Sequence, residues 1–173
     1  MTLRHSFGMS ISSLIGGAVL GAILAAPASA QAPEDGIPGD VAANTPVELV
    51  SDVFDNTEGP LGAADGGLYF SDTNASRTYR IDPAGKITVY RENTDRGNGI
   101  AMYRDGTMVW AEERRLSWKN QENGGYRSIT PGFRLFQPND LIMDAKGGIY
   151  FTDPGPRPVV PNLKVNVYYL GPY

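Results

Sequence analysis

Three stretches of this chain repeat one pattern at a nearly fixed spacing, and that spacing limits the fold more than any other feature. The first is Glu58-Gly59-Pro60-Leu61, then Asp65-Gly66-Gly67-Leu68-Tyr69-Phe70-Ser71-Asp72. The second is Asn98-Gly99-Ile100-Ala101, then Asp105-Gly106-Thr107-Met108-Val109-Trp110. The third is Asn139-Asp140-Leu141-Ile142, then Lys146-Gly147-Gly148-Ile149-Tyr150-Phe151-Thr152-Asp153. Leu68, Met108 and Ile149 are 40 and 41 residues apart, and so are Glu58, Asn98 and Asn139. A period of that size belongs to a supersecondary unit that cannot bury both faces alone and must stack on its neighbours. Each unit reads as strand, glycine turn, strand, looser loop, strand. In the first unit a third strand is expected at Arg77–Ile81, a turn at 82–85 and a fourth strand at 87–90. Four short antiparallel strands make one propeller blade. No segment holds a helical period for three turns, so the expected class is all-β. Evenly spaced turns also suit a small β-sandwich, but the joint recurrence of a polar start and an apolar core favours the propeller.

Equivalent positions in successive blades are related by rotation about a central axis. Glu58, Asn98 and Asn139, each at the start of an innermost strand, should therefore face one shared opening. A carboxylate with amide oxygens around such an opening is ligation of the kind calcium or magnesium accepts. The same residues are ordinary turn formers, and that plainer reading stands beside the metal one. Other polar residues carry less. Asp72 and Asp153 end aromatic strands, where an aspartate usually caps a turn. Glu112-Glu113-Arg114-Arg115 reads as a solvated charge run. Tyr69, Phe70, Trp110, Tyr150 and Phe151 are expected in the sheet core. Trp118 reads as part of a polar loop, lining a ligand mouth or covering a blade edge.

Composition narrows the chemistry. The chain has no cysteine and a single histidine, His5, which excludes disulfides, thiol catalysis, cysteine-ligated metals and any histidine-based triad or zinc site. Carboxylates, amides, hydroxyls, lysine or arginine must carry the chemistry, with a hard metal ion if one is needed. A formal net charge of −4 argues against nucleic acid and anionic membrane as partners. Residues 1–30 read as a secretory signal peptide: Arg4 and His5, an apolar run, then Ala28-Ser29-Ala30 before Gln31. A membrane anchor is the alternative, because 9–30 carries no charge. Residues 31–46 read as a flexible proline-bearing tether, and 47–173 as a partial propeller domain. The expected location is the bacterial periplasm or the extracellular medium, with no stable membrane association after cleavage.

Glu58-Gly59-Pro60, Tyr69-Phe70-Ser71-Asp72, Arg96-Gly97-Asn98-Gly99, and Pro138-Asn139-Asp140 followed by Tyr150-Phe151-Thr152-Asp153-Pro154 together resemble the gluconolactonase / senescence marker protein / luciferin-regenerating enzyme family. The likeness runs from about 47 to 173. It implies a six-bladed propeller that hydrolyses lactones, such as sugar-acid lactones, with a divalent ion in the central channel. That ion is most often calcium, with magnesium, manganese or zinc as alternatives. By this resemblance Glu58 and Asn139 are metal ligands, while Asn98 and Arg96 bind the substrate. Ala111-Glu112-Glu113 stands where family members often have Cys-Glu-His. The family's remaining ligand, an aspartate that also serves as base, comes from a later blade. The repeat length allows only about three blades here, so no catalytic residue is assigned within the chain. A fragment of a longer reading frame, self-association of two half-length chains if the chain ends at Tyr173, and an inactive product are the three expectations. A non-catalytic sugar- or protein-binding propeller is the alternative function, and a propeller hydrolase of phosphate or aryl esters is a further rival.

Overall fold

A computed structural model describes residues 36–119 and 124–172. The expected signal peptide at 1–30 lies outside the described residues, as does the tether up to residue 35. The chain divides after Val50 into two units. In the first, the described residues include a short turn closed by an Ile37–Val41 bridge, with Val41 N–H donating to Ile37 O at 2.9 Å. The second, from Ser51 onward, holds every strand among the described residues.

Those strands form three antiparallel sheets. The first contains β1 (Thr57–Gly62), β2 (Leu68–Asp72), β3 (Arg77–Ile81) and β4 (Ile87–Glu92) in that order. The second contains β5 (Ile100–Met102), β6 (Met108–Glu112), β7 (Arg115–Lys119) and β8 (Tyr126–Ser128), again in order. The third contains β9 (Leu141–Met143), β10 (Ile149–Asp153) and β11 (Asn166–Leu170), with β10 in the middle. Each sheet pairs only strands adjacent in sequence, so each is a meander closed on itself. A sandwich would exchange strands between two sheets. The arrangement is three blades of a propeller, and no helix occurs among the described residues.

One turn is built three times. Ala63 N–H donates to Gly67 O at 2.8 Å, Tyr103 N–H to Thr107 O at 2.8 Å, and Asp144 N–H to Gly148 O at 2.8 Å. Each turn passes through a left-handed glycine, at φ +88° for Gly66, +84° for Gly106 and +87° for Gly147. Residues with a side chain rarely adopt that left-handed backbone conformation, so glycine is placed where the chain reverses. A carboxylate steadies each loop: Asp65 Oδ1 accepts from Gly67 N–H, Asp105 Oδ1 from Thr107 N–H, and Asp144 Oδ1 from Lys146 and Gly148 N–H.

Stacking decides what is buried. Every residue of β6 is buried, since the middle blade is covered on both faces. Leu61 and Tyr69 of the first blade pack on Ile100, Met108 and Trp110 of the second. Val109, Ala111 and Leu116 of the second pack with Ile149 and Phe151 of the third. Phe70, Trp110 and Phe151 are thus core residues, as expected. Tyr69 is half-buried, and Tyr150 is not core at all: it is 48% exposed, on the face that also shows Ile142 and Val167. Strand alternation points Tyr150 away from the second blade. There Tyr169 of its own sheet lies beside it with ring centroids 4.6 Å apart, and no further sheet of the described residues covers it. Trp118 also differs from expectation. It belongs to β7 rather than a loop, pairs with Arg127 of β8, and has the Arg127 guanidinium 5.2 Å from its ring centroid.

Candidate functional site

The starts of the innermost strands meet because glycine lets them. A Cβ on Gly59 would lie 2.3 Å from Asn98 O, and one on Gly99 would lie 2.5 Å from Asn139 O. Both are backbone oxygens that cannot swing aside, so the residues after Glu58 and Asn98 must lack a side chain. The approach is then fixed by hydrogen bonds. Asn98 N–H donates to Ala111 O at 2.8 Å, and Asn139 N–H donates to Thr152 O at 2.9 Å, the same contact one blade later. Ser71 Oγ donates to Asn98 O at 2.7 Å, and Gly99 N–H to Asn139 O at 2.8 Å. In the first blade, Glu58 pairs with Ser71 across a bulge that shifts the register before Leu61.

A cavity of about 690 Å³ opens over these strand starts. Glu58, Asn98, Asn139 and Arg96 all line it. Asn98 Nδ2 donates to Asn139 Oδ1 at 2.6 Å, and Asn139 Nδ2 donates to Asp140 Oδ2 at 3.0 Å. Asn98 Oδ1 is buried and has no hydrogen-bond partner. An unmet buried acceptor costs about 1–3 kcal/mol, so this oxygen suits a cation or a donor supplied by a ligand. Glu58, Asn98 Oδ1 and the second lone pair of Asn139 Oδ1 offer oxygen ligation, which fits a hard divalent ion. Among the described residues no group of three or more Asp, Glu, His or Cys side chains could hold a metal. Of the described residues, Glu58 would give such an ion one carboxylate, and Asn98 and Asn139 neutral amide oxygens.

The repeat contributes more of the wall than its strand starts. Asn56, Arg96 and Gln137 stand two residues before Glu58, Asn98 and Asn139, and all three line the cavity. Thr73, Glu113 and Pro154, each one residue beyond a second strand, line it as well. Asn56 and Gln137 were not singled out in the sequence, and Glu113 only within the charge run and the Ala111-Glu112-Glu113 departure, although extending the period to neighbouring offsets reaches each of them. Arg157 also lines the cavity and belongs to none of these equivalent sets.

Two buried aspartates hold the approaches. Asp72 accepts from the backbone N–H of Asp55, Asn56 and Ala75 at 3.1, 3.3 and 3.2 Å. Asp153 accepts from Phe136, Gln137 and Gly155 at 2.7, 3.0 and 3.0 Å. Burial pushes the Asp72 carboxyl up, but the N–H groups of Asp55, Ala75 and Asn56 outweigh it and leave the carboxyl below the usual carboxylate range.

The charge run that begins at the end of β6 is solvated only in part: Glu113 and Arg114 form the turn to β7, with Arg114 exposed and beside Glu113, but Glu112 departs from that reading. Glu112 is wholly buried. It accepts from Arg91 Nη2, from Arg115 Nε at 2.6 Å and from Ser117 Oγ at 2.6 Å. Arg91 arrives from β4 and lies with its guanidinium 3.6 Å from the Tyr126 ring centroid and 4.5 Å from that of Trp110. Burial lowers the Arg91 pKa from the usual arginine value, against the pull of Glu112. A solvated run would have no reason to sit here; the buried Arg91 charge is what requires Glu112.

The family profile described as "SMP-30/Gluconolactonase/LRE-like region" matches residues 56–172. A gluconolactonase of Zymomonas mobilis subsp. mobilis is 26% identical over 131 residues, covering 64% of this chain and 36% of that protein. The structure of a gluconolactonase from Xanthomonas campestris superposes with a TM-score of 0.60 at 29% identity, over 71% of this chain and 46% of that one. Regucalcin from Agrobacterium tumefaciens, a calcium-binding protein, shares the fold at 19% identity and a TM-score of 0.52, over 67% of this chain and 40% of that one. The chain therefore spans between about a third and a half of the length of these relatives. The profile match covers every blade and every residue lining the cavity, so the chain belongs to the SMP-30/gluconolactonase/LRE-like family.

Proposed function

We propose that this cavity serves a divalent-ion-dependent hydrolase that opens sugar-acid lactones, with calcium as the ion. The observation that carries the reading is the orphaned, buried Asn98 Oδ1 beside Glu58 and Asn139, in a chain of this family. Glu58 and Asn139 would hold the ion, which supplies Lewis acidity toward the lactone carbonyl. A Glu58 carboxylate committed to the ion would serve as a ligand and not as a base. The Asn98 amide lies beside Asn139 and orients substrate oxygens close to the ion. Arg96 donates to the substrate's polar groups. Its backbone is held in a left-handed conformation at φ +56°, with its N–H donating to Ser76 Oγ at 3.1 Å, which fixes the base of the side chain at the rim. Ring opening adds water across the carbonyl carbon and breaks its bond to the ring oxygen. The ring oxygen leaves as a hydroxyl, and the acid releases one proton at neutral pH. The base that deprotonates the water is assigned to no residue of this chain. The resemblance of the sequence at 1–30 to a secretory leader supports a periplasmic or secreted location.

The test is acid release from a neutral sugar lactone, followed by titration, with calcium and then with a chelator. Turnover should stop on chelation and return with calcium. Glu58→Gln should weaken calcium binding, measured by calorimetry, by about tenfold or more and lower turnover in parallel. Undiminished turnover in chelator, or in Glu58→Gln at trace calcium, would sink the assignment. Binding of the sugar acid without any turnover would favour a binding module.

A further inference from the structure

The cavity wall carries a second guanidinium, Arg157, that the repeat does not account for. It follows the Asp153-Pro154-Gly155 turn, where Asp153 Oδ1 accepts from Gly155 N–H and brings Pro154 and Arg157 to the same rim. Arg96 reaches that rim from the preceding blade, and its Nη2 contacts only a neutral oxygen, Asn74 Oδ1, at 3.4 Å. Outside the cavity Arg77, Arg80, Arg91, Arg114 and Arg115 each lie within 4.0 Å of a carboxylate oxygen, whereas Arg104, Arg127 and Arg134 do not. Among the described residues neither cavity arginine has such a partner. The cavity's own carboxylates are otherwise committed. Glu113 has Arg114 Nε at 4.0 Å, and Glu58 goes to the ion in the function proposed above. With a divalent ion in place the described part of the wall is net positive and presents two forked donors that no carboxylate of the described residues meets. A guanidinium matches a carboxylate with two parallel hydrogen bonds, and a concave wall strengthens that attraction. Sugar hydroxyls would need no such excess of positive charge.

We propose that Arg157, with Arg96, binds a carboxylate that the substrate carries away from the scissile lactone. The site then prefers monolactones of dicarboxylic sugar acids to neutral aldonolactones. This rests on the lactone reading of the same cavity.

Two matched pairs test it with the purified protein in calcium buffer. The γ-lactones of D-gluconic and D-glucaric acid differ at the far carbon, a hydroxymethyl group against a carboxylate, and so do the open acids gluconate and glucarate. Glucarate should bind about tenfold tighter than gluconate by calorimetry, and kcat/KM should favour the glucaric lactone by a similar factor. Arg157→Gln should collapse both preferences, Arg157→Lys should keep part of them, and added salt should narrow them. Equal binding of the two acids to the wild type, or a preference that survives Arg157→Gln, overturns the proposal. If that happens while the gluconic lactone is still opened in a calcium-dependent way, the lactone reading stands and only the anion preference falls. A glucarate preference that depends on Arg157, with no turnover of either lactone, keeps the anion site and sinks the hydrolase.

Discussion

Residues 72, 112 and 153 occupy one position in three successive blades, the last residue of the second strand, and all three are buried acids. In the first and third blades the residue is aspartate, and its short side chain reaches back to the N–H groups of the loop that leads into the same blade. In the middle blade it is glutamate. The extra methylene carries its carboxylate past that loop, to Arg91 of the first blade and to Arg115 and Ser117 of its own. The middle loop is held by other means: Thr94 N–H donates to Ser76 O at 3.0 Å, and Glu113 N–H donates to Asp95 O at 2.9 Å. It also takes a different path, with Asn93, Asp95 and Arg96 all at positive φ. The aspartates therefore brace the approach to the cavity, while the glutamate locks one blade to the next.

If that division is right, the glutamate should matter most to stability. Glu112→Gln leaves Arg91, whose side chain is 3% exposed, as a buried cation without its counter-charge. Removing one member of a buried pair costs about 3–5 kcal/mol. Urea denaturation of this variant should show a loss of that size. Adding Arg91→Met should recover much of it, since the double change removes both charges and keeps an apolar stem against Trp110 and Tyr126. Additive losses in the double variant would show that the two side chains do not act as a pair.

The aspartates should act on the cavity as well as on stability. Asp153→Ala leaves the N–H groups of Phe136, Gln137 and Gly155 without their acceptor, at a cost of about 2–3 kcal/mol. Phe136 and Gln137 lead into Asn139, so divalent-ion affinity should fall in the folded variant, whereas Glu112→Gln should leave it nearly unchanged. Calorimetric titration with calcium below the unfolding transition separates the two. Equal effects on ion binding would erase the contrast.

The division was only half visible in the sequence. Strand positions were legible because glycine turns and apolar alternation are local; β3 spans the expected Arg77–Ile81. The meeting of Glu58, Asn98 and Asn139 was legible because rotation carries one offset of the repeat to one place. The fate of Glu112 was not, because its burial depends on Arg91, 21 positions earlier in another blade. Composition around Glu112 reads as solvated, and no local pattern marks a long-range partner. Tyr150 misled for a related reason. Its strand matches that of Tyr69, but a tyrosine is buried only where a neighbouring blade covers it. Arg157 was hidden because it lies outside the equivalent positions.

The smallest effect isolates the charge of one brace. Asp72→Asn keeps the shape of the side chain but leaves one acceptor oxygen where two served Asp55, Asn56 and Ala75. A loss of about 1–2 kcal/mol is expected at neutral pH. The folded pKa of Asp72 is depressed, so its contribution is fully present above the unfolded value of about 4 and declines as pH falls through the folded one. The gap between wild type and Asp72→Asn should therefore be constant from pH 7 to about pH 5 and shrink in stronger acid. Asp65 and Asp144 also titrate below the usual carboxylate range, but they are common to both proteins and cancel in the difference. Denaturation midpoints of the two proteins across that range decide the matter. A gap that stays constant in acid would mean that Asp72 braces its loop by shape and not by charge, and the aspartate and glutamate positions would then differ in reach alone.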